Sequence, residues 1–131
     1  MIERAVIGAS VLVDLYAATP VGKVAAGRLR GLALHAPAHV DAEVMSALGR
    51  LHRSGALPAE HVQACLDDLA TSPIERHPLA GLLVPAWRLR GSISLLDAAY
   101  VALAESLDAP LLTTDLRLAR TAARAEAIGG E

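Results

Sequence analysis

The amino-acid sequence predicts a three-layer α/β domain in which a mostly parallel central sheet is flanked by helices. Short apolar runs typical of buried strands alternate with longer segments whose apolar residues recur at helical spacing. The connections between these segments are short. In addition, 53% of the 131 residues are hydrophobic and 20% are charged, so the chain can bury a core of its own. We expect residues 1–131 to form a single domain.

The first half of the chain is predicted to contain two strands and four helices. The apolar run Ala5–Ile7 ends at Gly8, where a tight turn is possible, and Ser10 then opens a helical pattern. Gly31 is a suitable helix end and Pro58 a suitable helix start. The predicted order is strand 5–7, helix 10–16, helix 21–31, strand 32–37, helix 40–51 and helix 58–69.

The second half alternates in the same way. A short strand candidate lies between Pro73 and Pro78, and the apolar run 110–114 is typical of a buried strand. The predicted order is strand 74–78, helix 79–89, helix 95–107, strand 110–114, helix 115–124 and an edge strand at 125–128. Strands that alternate with helices through short connections pair in parallel, which predicts helices on both faces of the sheet.

Composition excludes several classes of protein. Phe is absent and aromatic residues make up 2% of the chain, which argues against an RNA-binding sheet of stacking rings. Lys23 is the only lysine among 12 basic residues and the net charge is −2, so any contact with a polyanion must depend on local arginines. Cys65 is the only cysteine, which excludes an internal disulfide and a multi-cysteine zinc site. Neither a membrane span nor a signal peptide is predicted, and we expect a cytoplasmic location.

Three acids mark the predicted functional site. Asp97 is the only charge in the otherwise apolar segment 95–104, and Glu43 lies on or beside the apolar stripe of its helix. Asp115 directly follows the buried strand, at the edge where ligands gather in parallel sheets. Carboxylates that converge in one cleft are tolerated when a hard divalent cation such as Mg²⁺ or Mn²⁺ neutralises them. Such sites are suited to phosphodiester cleavage.

Each of these residues has a simpler interpretation. Asp115 and Ser10 are both suitable helix N-caps, and Ser10 also stands close enough to the first strand to reach the same crevice. Glu43 is a candidate for a partly exposed acid in an ion pair with Arg50 or another arginine. Asp97 lies in the first turn of its helix if that helix begins near Ser94, where a negative charge interacts favourably with the helix dipole.

The remaining candidates carry less information. His35 and His39 are four residues apart, but Pro37 lies between them and no third ligand is evident, so a histidine metal site is not predicted. Cys65 lies on an apolar stripe and is interpreted as a core residue. Four arginines flank the predicted acids and either contact phosphates or lie on a solvated surface: Arg88, Arg90, Arg117 and Arg120.

Four segments, taken in order, resemble a PIN-domain ribonuclease, and among these most of all the VapC toxins of bacterial toxin-antitoxin pairs. The segments are Val6–Asp14, Ala42–Val44, Asp97–Ala104 and Leu111–Asp115. The resemblance spans nearly the whole chain and implies a PIN-like parallel sheet between helices, a homodimer, a cognate VapB antitoxin and Mg²⁺-dependent cleavage of RNA by a metal-activated water.

The resemblance also implies roles for individual residues. Glu43, Asp97 and Asp115 match the family's acidic positions, where they would act as catalytic residues and metal ligands. Ser10 and Thr113 match the polar positions beside them.

Gly8 is the main departure from the family pattern, because it occupies the position of the first acid at the end of the first strand. Gly8 does not disturb the fold, but its lack of a carboxylate is expected to weaken Mg²⁺ binding and to impair cleavage. Asp14 lies about one and a half turns into the next helix, too far along to replace the missing acid. A degenerate toxin, a deliberately inactivated one, and a site completed in another way all remain open.

Two further functions are considered. A catalytically silent protein of the same fold would bind an antitoxin or RNA without cutting. A phospho-acceptor receiver domain also places acids at strand ends, but it requires a lysine near the last strand, and this chain has none there.

Overall fold

Five parallel strands form a sheet in the order β3-β2-β1-β4-β5. The computed structural model describes residues 2–129. The strands are β1 (Arg4–Ile7), β2 (Ala33–Pro37), β3 (Ile74–His77), β4 (Leu111–Thr113) and β5 (Ala125–Ala127). The helices are α1 (Ala9–Tyr16), α2 (Pro20–Leu29), α3 (Val40–Arg53), α4 (Ala59–Thr71), α5 (Leu83–Arg88), α6 (Leu95–Leu107) and α7 (Leu116–Thr121), with a short 3-10 helix at Leu79–Leu82 before α5.

Helices cover both faces of this sheet. Arg76 of β3 points to one face, where its guanidinium donates to the Asp41 carboxylate of α3 and to the Leu69 carbonyl of α4. The next residue, His77, points to the opposite face and lines a groove with Leu103 of α6. The three-layer α/β prediction is therefore confirmed.

The central strands are buried on both sides, as expected for a parallel sheet between helices. In β1 and β4 the side chains of Val6, Ile7, Leu111 and Leu112 are completely inaccessible to solvent. These apolar runs are the ones that predicted the two strands, because a strand covered on both faces does not alternate with polar residues.

The direction of strand succession reverses at β1. From β1 the chain passes to β2 and then to β3 on one side, and after α6 it returns to β4 on the other side of β1. Ile7 pairs with Leu112, so Gly8 and Thr113 are neighbours at the carboxyl ends of these two strands. A crevice opens at such a reversal because the connecting helices leave in opposite directions.

All five predicted strands are present, with bounds that differ by at most a residue or two. The helix predicted over 79–89 is wrong in its first turn, which is a 3-10 helix at Leu79–Leu82. Pro85 explains the change, because proline has no N–H to donate four residues back and fits only the first turn of α5.

The helix predicted over 115–124 is also too long. Helix α7 ends at Thr121, and Ala122 is already extended, with φ −103° and ψ 128°. The chain must leave the helix there because β5 pairs in parallel with β4, beginning with Ala125 opposite Leu111. Within residues 2–129, no helix is both long enough and apolar enough to span a membrane.

Gly22 brings α2 against α1. A Cβ at Gly22 would lie 2.0 Å from the Asp14 carbonyl oxygen, whereas a Cβ at Gly27 of the same helix would meet no atom within 4 Å. We expect Gly22→Ala to lower the free energy of unfolding by about 3 kcal/mol through overpacking.

Gly27→Ala is the matched control for that change. It should raise the free energy of unfolding by about 0.5–1 kcal/mol, because alanine favours the helix. Urea denaturation of both variants measures the difference, and equal effects at the two positions would contradict the close packing of α1 and α2.

Candidate active site

A small cleft of 170 Å³ opens at the carboxyl ends of β1 and β4. It brings together residues from four separated segments of the chain: Gly8, Ala9, Ser10, Glu43, Asp97, Tyr100, Leu111, Thr113, Asp115 and Leu118. The three predicted acids therefore line one cavity. Their carboxylate oxygens do not all lie within 4.8 Å of one another in the described chain, so they are neighbours and not in mutual contact.

Asp97 is held at the start of α6. The Ser94 hydroxyl caps this helix by accepting from the Asp97 amide at 3.1 Å. The carboxylate thus lies in the first turn, where the helix dipole stabilises negative charge. Among residues 2–129 no hydrogen bond or ion pair engages the Asp97 carboxylate. Asp97 therefore lies both in the first turn of α6 and in the lining of the cleft.

Glu43 is fixed by two aromatic residues and not by an arginine. The Tyr100 hydroxyl donates to Glu43 Oε1 at 2.6 Å, and His39 Nε2 lies 3.3 Å from the same oxygen. The His39 and Tyr100 rings pack edge to face with centroids 5.0 Å apart. The predicted ion pair between Glu43 and Arg50 is wrong, because the Arg50 guanidinium donates to Ser46 Oγ one turn earlier on α3. Glu43 therefore has a defined orientation toward the cleft.

His39 also has a defined tautomer. Its Nε2 lies 3.3 Å from the Leu96 carbonyl oxygen, which can only accept, so Nε2 carries the proton. The other nitrogen, Nδ1, is buried without a hydrogen-bond partner within the described residues. The Nε2–H is directed at the Leu96 carbonyl, and Glu43 Oε1 lies 3.3 Å from the same nitrogen.

Asp115 both caps α7 and lines the cleft. Its Oδ1 accepts from the backbone amides of Arg117 at 3.0 Å and Leu118 at 3.2 Å. Thr113 Oγ1 in turn accepts from the Asp115 amide at 3.0 Å. The N-cap interpretation is confirmed, and it leaves Oδ2 of Asp115 free of any hydrogen bond to the rest of residues 2–129.

Ser10 does not cap α1, so that interpretation is wrong. Helix α1 begins at Ala9 with Gly8 as its N-cap residue, which leaves Ser10 inside the first turn. Its hydroxyl accepts from the Thr114 amide at 3.2 Å and lies 3.3 Å from Thr113 Oγ1. Ser10 thus joins the start of α1 to the end of β4 across the crevice.

Gly8 contributes only backbone to the cleft. Its φ of −74° and ψ of 150° are accessible to any residue. A Cβ there would lie 3.1 Å from the Leu112 carbonyl oxygen and 3.8 Å from both Ser10 Oγ and Thr113 Cβ. A larger side chain would therefore project among the polar groups of the cleft after a shift of a few tenths of an ångström.

Asp14 has a different task. Its two carboxylate oxygens accept from the hydroxyls of Thr19 at 3.0 Å and Thr114 at 2.9 Å, so it connects α1, the start of α2 and the end of β4. Asp14 lines a neighbouring open groove of 620 Å³ and not the cleft beside Gly8. The groove and the cleft share Ser10 and Glu43, which makes them continuous.

Sequence reasoning left Tyr100 and His39 without a role at this site. His39 precedes Glu43 by four residues and Tyr100 follows Asp97 by three, which are the spacings that place side chains on one face of a helix. His39 and His35 do not approach each other, since His35 contacts Glu75 and His77 instead.

The remaining predicted residues lie outside the cleft. The arginines proposed to face phosphates are exposed: Arg88, Arg90, Arg117 and Arg120. Arg90 stacks 4.5 Å above the Trp87 ring. Cys65 is buried, and burial, followed by the charge of Asp68, raises the pKa of its thiol, in agreement with a core role.

Comparison with known proteins gives consistent results. The family model described as PIN domain matches residues 5–124. Ribonuclease VapC3 of Mycobacterium tuberculosis is 51% identical over 128 residues, covering 97% of this chain and 93% of that protein. Ribonuclease VapC12 of the same organism is 39% identical over 116 residues, covering 88% and 90%. The crystal structure of VapBC2 from Rickettsia felis, bound to a DNA fragment from its promoter, superposes with a TM-score of 0.65 at 16% sequence identity. The superposition covers 95% of this chain and 98% of that one, so the two share a fold.

The Tyr100 phenol gives the site a measurable signature. Burial, followed by the hydrogen bond to Glu43 and the charge of that carboxylate, raises the pKa of Tyr100 well above its ordinary value. Because the unfolded chain ionises its tyrosines near about pH 10, the contribution of Tyr100 to stability is complete below that pH and is lost as the pH rises above it. Above about pH 10, we expect the free energy of unfolding of Tyr100→Phe to fall less steeply with rising pH than that of the unaltered chain.

Phenolate absorbance of folded and urea-unfolded protein measures the same effect directly. Tyr16→Phe is the control, because the pKa of Tyr16 is also raised, by burial and then by Asp68. In the folded Tyr16→Phe variant Tyr100 is the remaining tyrosine, and it should stay un-ionised when unfolded chains have titrated. Ionisation of Tyr100 at its ordinary pH in the folded state would contradict its bond to Glu43.

Proposed function

Because the chain belongs to the PIN-domain family and is 51% identical to a VapC ribonuclease, we propose that it is a VapC-type endoribonuclease, the toxin of a VapBC-type pair. The observation that carries this proposal is the convergence of Glu43, Asp97 and Asp115 where the strand order reverses. An acidic cleft at the carboxyl ends of parallel strands suits the hydrolysis of a phosphodiester.

The donor set of the cleft fits a hard divalent cation, Mg²⁺ or Mn²⁺. Both carboxylate oxygens of Asp97 and one of Asp115 are free of hydrogen bonds within the described chain, and oxygen ligands of this kind suit such ions. We assign Asp97 and Asp115 as the principal ligands, with Glu43 as the third acid. When bound, the ion would lower the pKa of an attacking water and offset the charge that builds on the phosphate.

The chain's own residues orient this chemistry. Tyr100 and His39 hold Glu43 Oε1, which leaves the carboxylate directed at the cleft, where it can accept a hydrogen bond from the attacking water. Thr113 Oγ1 accepts a hydrogen bond from the Asp115 amide, and Ser10 Oγ accepts one from the Thr114 amide. The loop that presents Asp115 is therefore held from both sides. Placing the acids before the substrate arrives reduces the cost of reorganising them.

Gly8 is proposed to limit this activity. It lies between Ser10 and Thr113 at the position where an acidic side chain would project into the cleft. Without that carboxylate the cation has fewer charged ligands, so both its affinity and the rate of RNA cleavage should be low. The alternative is a protein of the same fold that binds its antitoxin or RNA without cutting, and the missing acid at Gly8 is the observation that favours it.

RNA is proposed to approach along the open groove that continues from the cleft. Arg50 lines this groove, and Arg117 and Arg120 lie on α7 directly after Asp115. We assign these arginines, together with Arg88 and Arg90, to contacts with phosphates, which orient a nucleic acid without selecting its sequence.

A homodimer and a VapB-type antitoxin are the proposed protein partners, in a cytoplasmic setting. Apolar side chains are unusually exposed at α5 and at the start of α6. Their exposed fractions are 63% for Leu83, 60% for Val84, 54% for Trp87, 49% for Leu95 and 56% for Leu96. This apolar surface is the one we assign to protein association.

Gly8→Asp should raise the rate of RNA cleavage at saturating Mg²⁺ at least about tenfold, because it returns a charged ligand to the cleft. The measurement is the cleavage of a structured RNA pool by the unaltered chain and the variant, with Mg²⁺, with Mn²⁺ and with a chelator. Cleavage by Gly8→Asp that the chelator stops supports the proposal.

Two variants make this experiment specific. Gly27→Asp adds the same charge on the exposed side of α2, with no atom within 4 Å of its Cβ, and should leave the rate unchanged. Asp97→Asn in the Gly8→Asp background should abolish cleavage. Equal, measurable rates for the unaltered chain and Gly8→Asp would show that Gly8 is not limiting, and no cleavage by either would favour the protein that binds without cutting.

A further inference from the structure

A second group of ligand-type side chains lies away from the acidic cleft, between β2 and the edge strand β3. The parallel register places His35 directly opposite Glu75 and Pro37 opposite His77. Because alternate residues of a strand point to the same face, Glu75 and His77 project together beside His35. Two imidazoles and a carboxylate therefore meet on one face of two paired strands.

The three side chains converge closely. His35 Nδ1 lies 2.9 Å from Glu75 Oε2 and 2.9 Å from His77 Nε2, and the last two atoms are 3.4 Å apart. In the described chain this is the group of histidine, cysteine and acidic residues whose ligand atoms all lie within 4.8 Å of one another. The side chain of His35 is 11% exposed and that of Glu75 is 65% exposed, so the group extends from the interior to the surface.

Hydrogen bonding alone does not satisfy this triangle. If His35 Nδ1 carries the proton, it donates to His77 Nε2, and neither ring then hydrogen-bonds to the Glu75 oxygen. If His77 Nε2 carries the proton, it donates to His35 Nδ1, which then has no proton to share with the Glu75 oxygen 2.9 Å away. If both nitrogens are protonated, two N–H groups oppose each other at 2.9 Å. With one proton shared between the rings, the Glu75 oxygen lies 2.9 and 3.4 Å from the two nitrogens without a hydrogen bond to either, and a cation bound to all three groups would give it a partner.

We propose that His35, Glu75 and His77 bind a divalent transition-metal ion of the Zn²⁺ type. Imidazole nitrogen suits such ions, and two histidines with one glutamate form a known kind of zinc ligand set that leaves a fourth position open. In tetrahedral coordination with bonds near 2.0–2.1 Å, ligand atoms are separated by about 3.3 Å. The three observed separations, 2.9, 2.9 and 3.4 Å, are within half an ångström of that value.

The surroundings give an ion access to these ligands. His77 lines an open groove of 630 Å³ that is bounded by α6 and the segment before α5. None of the three ligands lines the acidic cleft, so the two sites differ both in place and in chemistry. The acids of the cleft suit a hard ion held by oxygen, whereas this group suits a softer ion held by nitrogen.

A metal ion here would act on the fold. Strand β3 is an edge strand of four residues, and its pairing with β2 is the only sheet contact it makes within residues 2–129. An ion shared by His35 and the two ligands on β3 would fasten this edge to the interior of the sheet. Binding would therefore stabilise the folded protein in addition to any activity at the cleft.

The test is a titration of the full chain with Zn²⁺ alone as the probe, in the presence of excess Mg²⁺. Isothermal calorimetry and thermal melting are recorded for the unaltered chain and for His77→Gln and Glu75→Gln. We expect one Zn²⁺ per chain and a raised melting temperature for the unaltered chain. Each variant should weaken binding at least about tenfold and remove the rise in melting temperature. Glu75 is mainly exposed, so Glu75→Gln tests the site with little risk to folding.

Two controls separate this site from other ligands. His61→Gln removes an exposed histidine of α4 whose Nε2 lies 3.0 Å from the Tyr16 carbonyl oxygen, and it should bind Zn²⁺ like the unaltered chain. Asp97→Asn alters the acidic cleft and should also leave Zn²⁺ binding unchanged. The proposal is overturned if Zn²⁺ does not bind, if His77→Gln and Glu75→Gln bind it normally, or if only Asp97→Asn loses it.

Discussion

The reversal of strand order between β1 and β4 is the constraint on which the rest of the site depends. The backbone pairing of these strands continues past their ends, since the Gly8 amide donates to the Leu112 carbonyl at 2.9 Å. Ser10 then reaches from the first turn of α1 to the Thr114 amide. These bonds hold two loops side by side that are more than a hundred residues apart in sequence. The cleft, its acids and the cap of α7 all follow from this juxtaposition.

The acidic cleft shows how a fold can hold like charges near one another. Each carboxylate is stabilised in a different way. Asp97 lies in the first turn of α6, Asp115 accepts hydrogen bonds from the first amides of α7, and Glu43 accepts one from the Tyr100 hydroxyl. Within residues 2–129 no lysine or arginine forms an ion pair with these carboxylates, and His39 is the one basic side chain in contact with them. This arrangement keeps the oxygens available to a divalent ion, at the expense of mutual repulsion that only fixed dipoles and hydrogen bonds oppose.

The two faces of the sheet are used differently at its β3 edge. Arg76 joins β3 to α3 and α4 through Asp41 and backbone carbonyls, while its neighbours Glu75 and His77 meet His35 on the opposite face. Three consecutive residues of a short edge strand thus carry polar contacts on both sides. A strand with few backbone partners depends more than a central strand on such side-chain contacts.

The sequence by itself determined the α/β class, the five strands and the three acids that line the cleft. Buried parallel strands are continuous apolar runs, and Asp115 stands out directly after one of them. Asp97 stands out as the only charge in an otherwise apolar helical segment. Local pattern also explains the errors, since Pro85 shortened one helix and the pairing of β5 shortened another. What only the tertiary structure decided were contacts between distant segments: Tyr100 with Glu43, Ser10 with Thr114, and His35 with Glu75 and His77. Such contacts depend on strand order and register, which place residues side by side without leaving a periodic signal in the chain.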